Sequence, residues 1–211
     1  FYMERKNTKE LNFDFERLSR LEQIKNKGQG SIDLFQSSLL HISKLEMRDI
    51  KEALDYSLNL EYSHEGLTKE AYIAHPLRVS KMAIDFTKKN TTQTVILCLL
   101  HNILEVTNVE RQDIVKSFGK ELLKDIETLT VDRALQWDKV YKKDYYEAIY
   151  QSSDIVKTVK VLDKLDNIYI LGINPDKEIR RKYITEIKQF VLPMCKKVLP
   201  DIYGSFNHAC N

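Results

Sequence analysis

Two histidines, an amide and a carboxylate, carried by three separate segments, are the residues whose types and spacing could bind a metal ion. His75 precedes Pro76 in the first segment, His101 and Asn102 are adjacent in the second, and Asp163 begins the third. A divalent cation such as Mn²⁺ accepts imidazole nitrogen together with oxygen ligands, and it keeps positions open for water and phosphate oxygens. The three segments could therefore supply an octahedral metal site.

The second segment lies in the most apolar stretch of the chain. A helix over 92–105 would have apolar residues all around its axis and must be buried, which makes it the central helix; these residues are Val95, Ile96, Leu97, Leu99, Leu100, Ile103 and Leu104. Thr91 or Thr92 can cap its start. His101 and Glu105 are spaced i,i+4, so they would share one face near its C-terminal end. Polar groups in so apolar a helix indicate a chemical role.

The other two segments are also predicted to lie on helices. Pro76 suits the first turn of a helix over 76–89, which would place His75 at or just before its N-terminus. Asp163 and Asn167 are i,i+4 on a mostly apolar helix over 154–171. Further helices are expected near 32–44, 47–63, 109–117, 119–129, 133–151 and 177–198. With six Gly and four Pro and apolar residues at helical spacing, the sequence predicts an all-α fold.

Composition favours a folded protein in water. Hydrophobic residues are 43% and charged residues 30% of the 211, and the formal charge of +2 comes without a basic block that would predict nucleic-acid binding. The longest apolar run is too short for a bilayer, and residues 1–30 lack the core of a secretory signal. Three cysteines without metal-type spacing indicate a reducing compartment. We expect no membrane partner and a cytoplasmic location; oligomeric state stays open.

The domain organisation is expected to be simple. A charged stretch ending in Gly28-Gln29-Gly30-Ser31 suits a break before a capped helix, so residues 1–45 are predicted to form an N-terminal helical appendage. Residues 46–200 would form the main domain and 201–211 a C-terminal tail. His41, His64 and His208 have no partner at ligand spacing and are assigned no metal role.

Five motifs occur in the order and at about the spacing seen in hydrolases of guanosine polyphosphate (ppGpp): Tyr72-Ile-Ala-His75-Pro76, Leu99-Leu-His101-Asn102-Ile-Leu-Glu105, Phe118-Gly-Lys-Glu121, Leu129-Thr130 and Asp163-Lys-Leu-Asp-Asn167. Over residues 50–190 the chain resembles the HD hydrolase domains of the RelA/SpoT type. The resemblance implies an all-α HD-domain bundle of roughly eight to ten helices. Because no synthetase domain follows, the nearer comparison is with the small, hydrolase-only members.

The resemblance implies a metal site and a reaction. Its metal is Mn²⁺, and its ligands fall on His75, His101, Asn102 and Asp163, with Glu105 placed to orient the attacking water. The implied substrate is a guanosine polyphosphate, from which the 3′-pyrophosphate is removed to leave GDP or GTP, in the alarmone turnover of the stringent response.

Four residues are implied to bind the substrate. Asn167 matches the family residue that contacts the nucleotide, and Lys69 falls near an arginine that faces the base, in a loop that is shorter here. Lys142 and Lys143 lie in a segment that supplies basic residues to the pocket in the relatives. For these two lysines the alternative is a solvated helix face.

Two positions depart from the family pattern. Asn102 replaces the aspartate of the His-Asp pair, which removes a charge that a hard cation prefers and should weaken metal binding. Val106 replaces an acid beside Glu105; an engineered, substrate-trapping Asn102 would not explain this second change. The alternatives are therefore a non-catalytic HD domain that binds a nucleotide or protein partner, and a hydrolase of another nucleotide, such as a nucleoside monophosphate or a reduced dinucleotide phosphate.

Overall fold

The computed structural model describes residues 11–63 and 68–211, and the predicted all-α fold is confirmed across them. An isolated antiparallel bridge between Tyr62 and Thr107 is the only extended pairing in those ranges. The helices are α1 (Phe13–Lys25), α2 (Ser31–Ser38), α3 (Lys44–Asn59), α4 (Lys69–Phe86), α5 (Thr91–Leu100), α6 (Ile103–Val106), α7 (Arg111–Phe118), α8 (Lys120–Leu129), α9 (Lys139–Tyr150), α10 (Asp154–Ile170), α11 (Lys177–Glu186), α12 (Leu192–Val198) and α13 (Pro200–Ala209). The segments Leu39–His41 and Leu171–Ile173 are 3₁₀-helical, and Ile187–Val191 is π-helical.

Helices α4, α5 and α10 contact one another and form the centre of the molecule. Helix α5 packs against α3, α4 and α10, and α10 also contacts α1, α4 and α12. Every residue of α10 from Thr158 to Asp166 is buried, although this stretch includes Lys160, Asp163 and Lys164. Because buried charges need partners, the charged groups of α10 must be paired within the fold.

The predicted central helix is interrupted at two of the predicted metal ligands, His101 and Asn102. Helix α5 ends at Leu100, His101 and Asn102 form a turn, and α6 begins at Ile103. A continuous helix would use the Cys98 carbonyl to accept the backbone N–H of Asn102. Here the ring Nδ1 of His101 lies 2.7 Å from that carbonyl oxygen. The side chain thus competes with the backbone for the acceptor, and the prediction of one helix through Glu105 was wrong.

Helix α4 begins earlier than its proline suggests. Thr68 caps it, because its hydroxyl accepts a hydrogen bond from the backbone N–H of Ala71 at 3.2 Å. Pro76 consequently lies inside the helix, where it removes one backbone donor. His75 therefore lies in the helix interior rather than at its N-terminus.

Both ends of the described chain contribute to the packing. Helix α1 contacts α4 and α10 and contains Arg20, which is 4% exposed. Residues expected as a tail lie largely in α13, whose Ile202 and Phe206 are buried in the core. The division into appendage, main domain and tail stays a prediction, and residues 1–10 and His64 lie outside the described residues. No described helix is long and apolar enough to cross a membrane.

Candidate active site

Three of the four predicted ligands come together from three helical segments. His75 of α4, His101 at the end of α5 and Asp163 of α10 have donor atoms that all lie within 4.8 Å of one another. The Nε2 atom of His75 is 3.3 Å from Asp163 Oδ1, and that of His101 is 3.9 Å from the same oxygen. Two imidazole nitrogens and a carboxylate oxygen thus face a common point, which is a suitable arrangement for a divalent cation.

The two histidines are oriented through their other ring nitrogens. His101 Nδ1 is bonded to the Cys98 carbonyl, which can only accept, so this nitrogen carries the proton and Nε2 has the lone pair. His75 Nδ1 lies 2.8 Å from Oδ2 of Asp166. Histidine ligands commonly have an acceptor of this kind on the nitrogen that does not bind the metal.

The histidines differ in their electrostatics. Burial lowers the pKa of His101, although Asp163 opposes the shift. Burial also disfavours the charged form of His75, but hydrogen bonds to Asp163 and Asp166 outweigh it, and the pKa of His75 is raised. A cation at this site would displace the proton on the Nε2 atom of His75.

Asp163 is kept ionised by its neighbours. Burial alone would raise the pKa of this carboxyl, but Lys160, followed by the hydrogen bond to His75, holds it well below its usual range. Lys160 Nζ is 3.2 Å from Oδ2, and Asn167 donates to Oδ1 at 2.9 Å. The two polar neighbours on α10 therefore fix the carboxylate while one oxygen faces the histidines.

Asn102 has the fourth predicted ligand atom, a side-chain oxygen that is buried and unpaired among the described residues. Its Nδ2 donates to the hydroxyl of Tyr72 at 2.9 Å, which orients the amide. Its Oδ1 is buried and has no hydrogen-bond partner among the described residues. Leaving such an atom unpaired costs about 1–3 kcal/mol, so the site contains an oxygen that a bound cation would satisfy.

Glu105 is engaged by a segment that follows α8. One carboxylate oxygen accepts from the backbone N–H of Val131 at 3.0 Å, and the other accepts from Arg133 Nε at 2.9 Å. This segment was expected to start a helix at 133, but Asp138 caps α9, so residues 131–137 lie outside it and are free to face the site. Arg133 was not recognised in the sequence because nothing local links it to Glu105.

A cavity of about 1000 Å³ opens beside these three predicted ligands. Among the predicted site residues, its wall includes His75, His101, Asn102, Glu105, Lys142, Asp163 and Asn167. Lys69 and Lys143 are not among the described residues that line it; Lys143 lies on an exposed face of α9. The pairing of Lys143 with the pocket is thus not supported, whereas Lys142 does reach it.

The cavity has a second charged cluster, of which the sequence analysis identified only Lys142. Glu186 lies against Lys142, accepts from the Tyr146 hydroxyl at 2.7 Å and lies 3.2 Å from Lys164 Nζ. Burial alone would lower the pKa of Lys164, but Tyr183 and Glu186 raise it well above its usual value. The only signal in the sequence was the presence of several charged residues in the apolar helix α10.

No family model matches the chain. A curated guanosine-3′,5′-bis(diphosphate) 3′-pyrophosphohydrolase of Borreliella burgdorferi is 28% identical over 78% of this chain and 26% of its own length. Its namesake in Aquifex aeolicus is 24% identical over 81% of this chain and 24% of its own length. These similarities support the resemblance to HD-domain ppGpp hydrolases that the sequence motifs predicted. The chain spans about a quarter of the length of these curated relatives.

A solved structure supports the fold of this hydrolase family. It is described as a metazoan ortholog of SpoT that hydrolyzes ppGpp and plays a role in starvation responses. The two chains are 22% identical, with a TM-score of 0.61, and the match covers 80% of this chain and 95% of the other. The predicted HD-type fold is thus confirmed, and the roles of individual site residues stay predictions.

Proposed function

We propose that the protein is a metal-dependent hydrolase that removes the 3′-pyrophosphate from a guanosine polyphosphate. The observation that carries the proposal is the meeting of His75, His101 and Asp163, with donor atoms within 4.8 Å of one another, in the wall of a cavity of about 1000 Å³. The ppGpp hydrolases among its relatives supply the substrate class.

The residues present fit a divalent cation. The unpaired Oδ1 of Asn102 offers a fourth donor beside the two histidines and Asp163. Mixed nitrogen and oxygen donors suit Mn²⁺, which we propose as the metal. When bound, such a cation would polarise a phosphoryl oxygen and lower the pKa of a bound water.

The chain's own groups would bind and orient the substrate. Lys160 and Lys164 are buried in the cavity wall, and neighbouring groups raise the pKa of each, so both carry positive charge that suits a polyphosphate. Asn167 lines the cavity and is held by Asp163. Hydrolysis adds water across the bond between ribose O3′ and phosphorus: the water oxygen joins phosphorus, and O3′ departs with a proton. Glu105 is our candidate for orienting that water.

A second candidate function is nucleotide binding without turnover. Both carboxylate oxygens of Glu105 are already bonded to Val131 and Arg133, and Asn102 provides no negative charge to a metal. A domain in this state would retain a cationic cavity for a polyphosphate while lacking a free base.

We also propose that the protein acts in the cytoplasm, where a nucleotide substrate would be met. The three cysteines, Cys98, Cys195 and Cys210, are buried and free, as is typical of a reducing compartment.

The test is the metal content of the purified protein together with ppGpp hydrolysis in added Mn²⁺. His101→Ala should abolish both metal retention and release of pyrophosphate. His208→Ala, the same change at an exposed position of α13 that does not line the cavity, should alter neither. Metal binding and nucleotide binding without pyrophosphate release would favour the second candidate. Release that survives His101→Ala would contradict the proposed site.

A further inference from the structure

A buried carboxylate connects the N-terminal helix to the candidate metal ligands. Asp166 of α10 has no exposed surface, and two arginines and a histidine surround it. Its Oδ1 accepts from Arg20 Nε at 2.7 Å and from Arg78 Nε at 3.0 Å. Its Oδ2 accepts from a terminal nitrogen of Arg78 at 2.8 Å and lies 2.8 Å from His75 Nδ1. Each oxygen of Asp166 is therefore held from two sides.

Arg20 is itself rigidly placed by neighbours on more than one helix. Its guanidinium carbon lies 4.4 Å above the ring of Tyr169, and a terminal nitrogen forms a 2.6 Å ion pair with Glu16 of α1. Planar guanidinium groups form directional hydrogen bonds, so this packing also fixes the direction of the bond from Arg20 to Asp166. The hydrogen bond from Arg20 to Asp166 thus depends on α1 being docked on α10, and it adds to the bonds that Arg78 of α4 donates.

Asp166 in turn sets the orientation of the His75 ring. With Nδ1 bonded to Asp166, Nε2 faces Asp163 at 3.3 Å, on the side where the ligand atoms converge. Arg20 and Arg78 offset the charges of Asp166 and Glu16, so the buried carboxylate next to His75 is not left as an unpaired charge.

We propose that Arg20 is a positioning residue: it holds Asp166, and Asp166 orients His75. Helix α1 would then contribute to the metal site and would not be an appendage to it. The proposal depends on the proposed function in one respect, which is that the site binds a metal ion. The orientation of His75 is a property of the metal-free protein and can be tested separately.

The first test compares Arg20→Met with Arg17→Met, the same change at an exposed position of α1. Mn²⁺ affinity is measured by the loss of the free-ion electron paramagnetic resonance signal, and circular dichroism checks the fold. We expect Arg20→Met to weaken Mn²⁺ binding about tenfold, as substitutions behind a metal ligand commonly do. Arg17→Met should leave it unchanged. A folded Arg20→Met protein whose affinity stays within twofold of the original would overturn the proposal.

If Arg20→Met fails to fold, Arg20→Lys takes its place. Lysine keeps the positive charge but cannot reproduce the fork that contacts both Asp166 and Glu16. We expect a loss of affinity that is smaller than tenfold but larger than that of Arg17→Met. An affinity equal to that of the original protein would show that Arg20 contributes charge alone and does not position His75.

The second test needs no metal. Proton NMR of the metal-free protein follows the Hδ1 proton of His75, assigned by its disappearance in His75→Gln. Asp166→Ala and Arg20→Met should both speed exchange of this proton with water, whereas Asp166→Asn, which keeps an acceptor oxygen, should restore much of its protection. Unchanged exchange in either variant would refute the positioning of His75 by Arg20 through Asp166. Absence of Mn²⁺ binding with the expected NMR changes would refute only the metal-dependent function.

Discussion

Replacing Glu186 by glutamine should change how stability depends on pH. This carboxylate lies in the cavity wall against Lys142 and Lys164, and its side chain is 10% exposed. Burial alone would raise its pKa, but Lys164, followed by the hydrogen bond from Lys142, lowers the pKa from 4.5 to about 2. The folded protein therefore favours the ionised form more strongly than the unfolded chain does.

The size of the effect follows from the two pKa values. A shift of this size stabilises the fold by about 3 kcal/mol while the carboxylate is ionised in both states. Because the folded pKa is the lower one, the contribution is complete above pH 4.5 and is lost as the pH falls toward 2. At pH 3.5 about 1 kcal/mol of it should already be gone.

Urea unfolding of the original protein and of Glu186→Gln at pH 7, 5 and 3.5 would measure this loss. The contributions of Asp163 and Asp166 cancel in the difference between the two proteins, which should shrink by about 1 kcal/mol between pH 7 and pH 3.5. Glu147→Gln, the same change on the exposed side of α9, controls for the substitution. A difference that stays constant over this range would refute the electrostatic role of Glu186.

Three further substitutions test the cavity. Asn102→Asp should tighten Mn²⁺ binding by at least about tenfold in a titration followed by electron paramagnetic resonance, because it adds a charge that a hard cation prefers; weaker binding would exclude position 102 as a ligand. Lys142→Met should raise the KM for ppGpp, whereas Lys143→Met, the same change outside the cavity wall, should not; equal effects would contradict the cavity assignment. Arg133→Met should cost less than about 1 kcal/mol in thermal unfolding, since this side chain is 67% exposed. The same substitution should raise kcat, because it releases an oxygen of Glu105. An unchanged or lower kcat would indicate that Glu105 is not the base.

The local sequence pattern was sufficient to predict the helices that carry the candidate ligands His101 and Asp163. Apolar periodicity predicted α5 and α10, because burial on all sides requires apolar residues at every turn and can be read within a short window. The polar residues in those helices therefore indicated a site, and Nε2 of the predicted ligand His101 lies 3.9 Å from Oδ1 of Asp163. The helix boundaries at Thr68 and at His101 were missed, since each depends on a side-chain hydrogen bond to the backbone.

The donor types of the candidate site were determined by the sequence alone, whereas the charges that hold them in place were decided by the tertiary structure. Arg20 and Asp166 are 146 positions apart, and Arg133, which donates to Glu105, was expected to lie in a helix that begins at 133. No periodicity links such residues. A hydrophobic pattern specifies which face of a helix is buried, but the pairing of buried charges depends on which helices meet, and that requires the path of the whole chain.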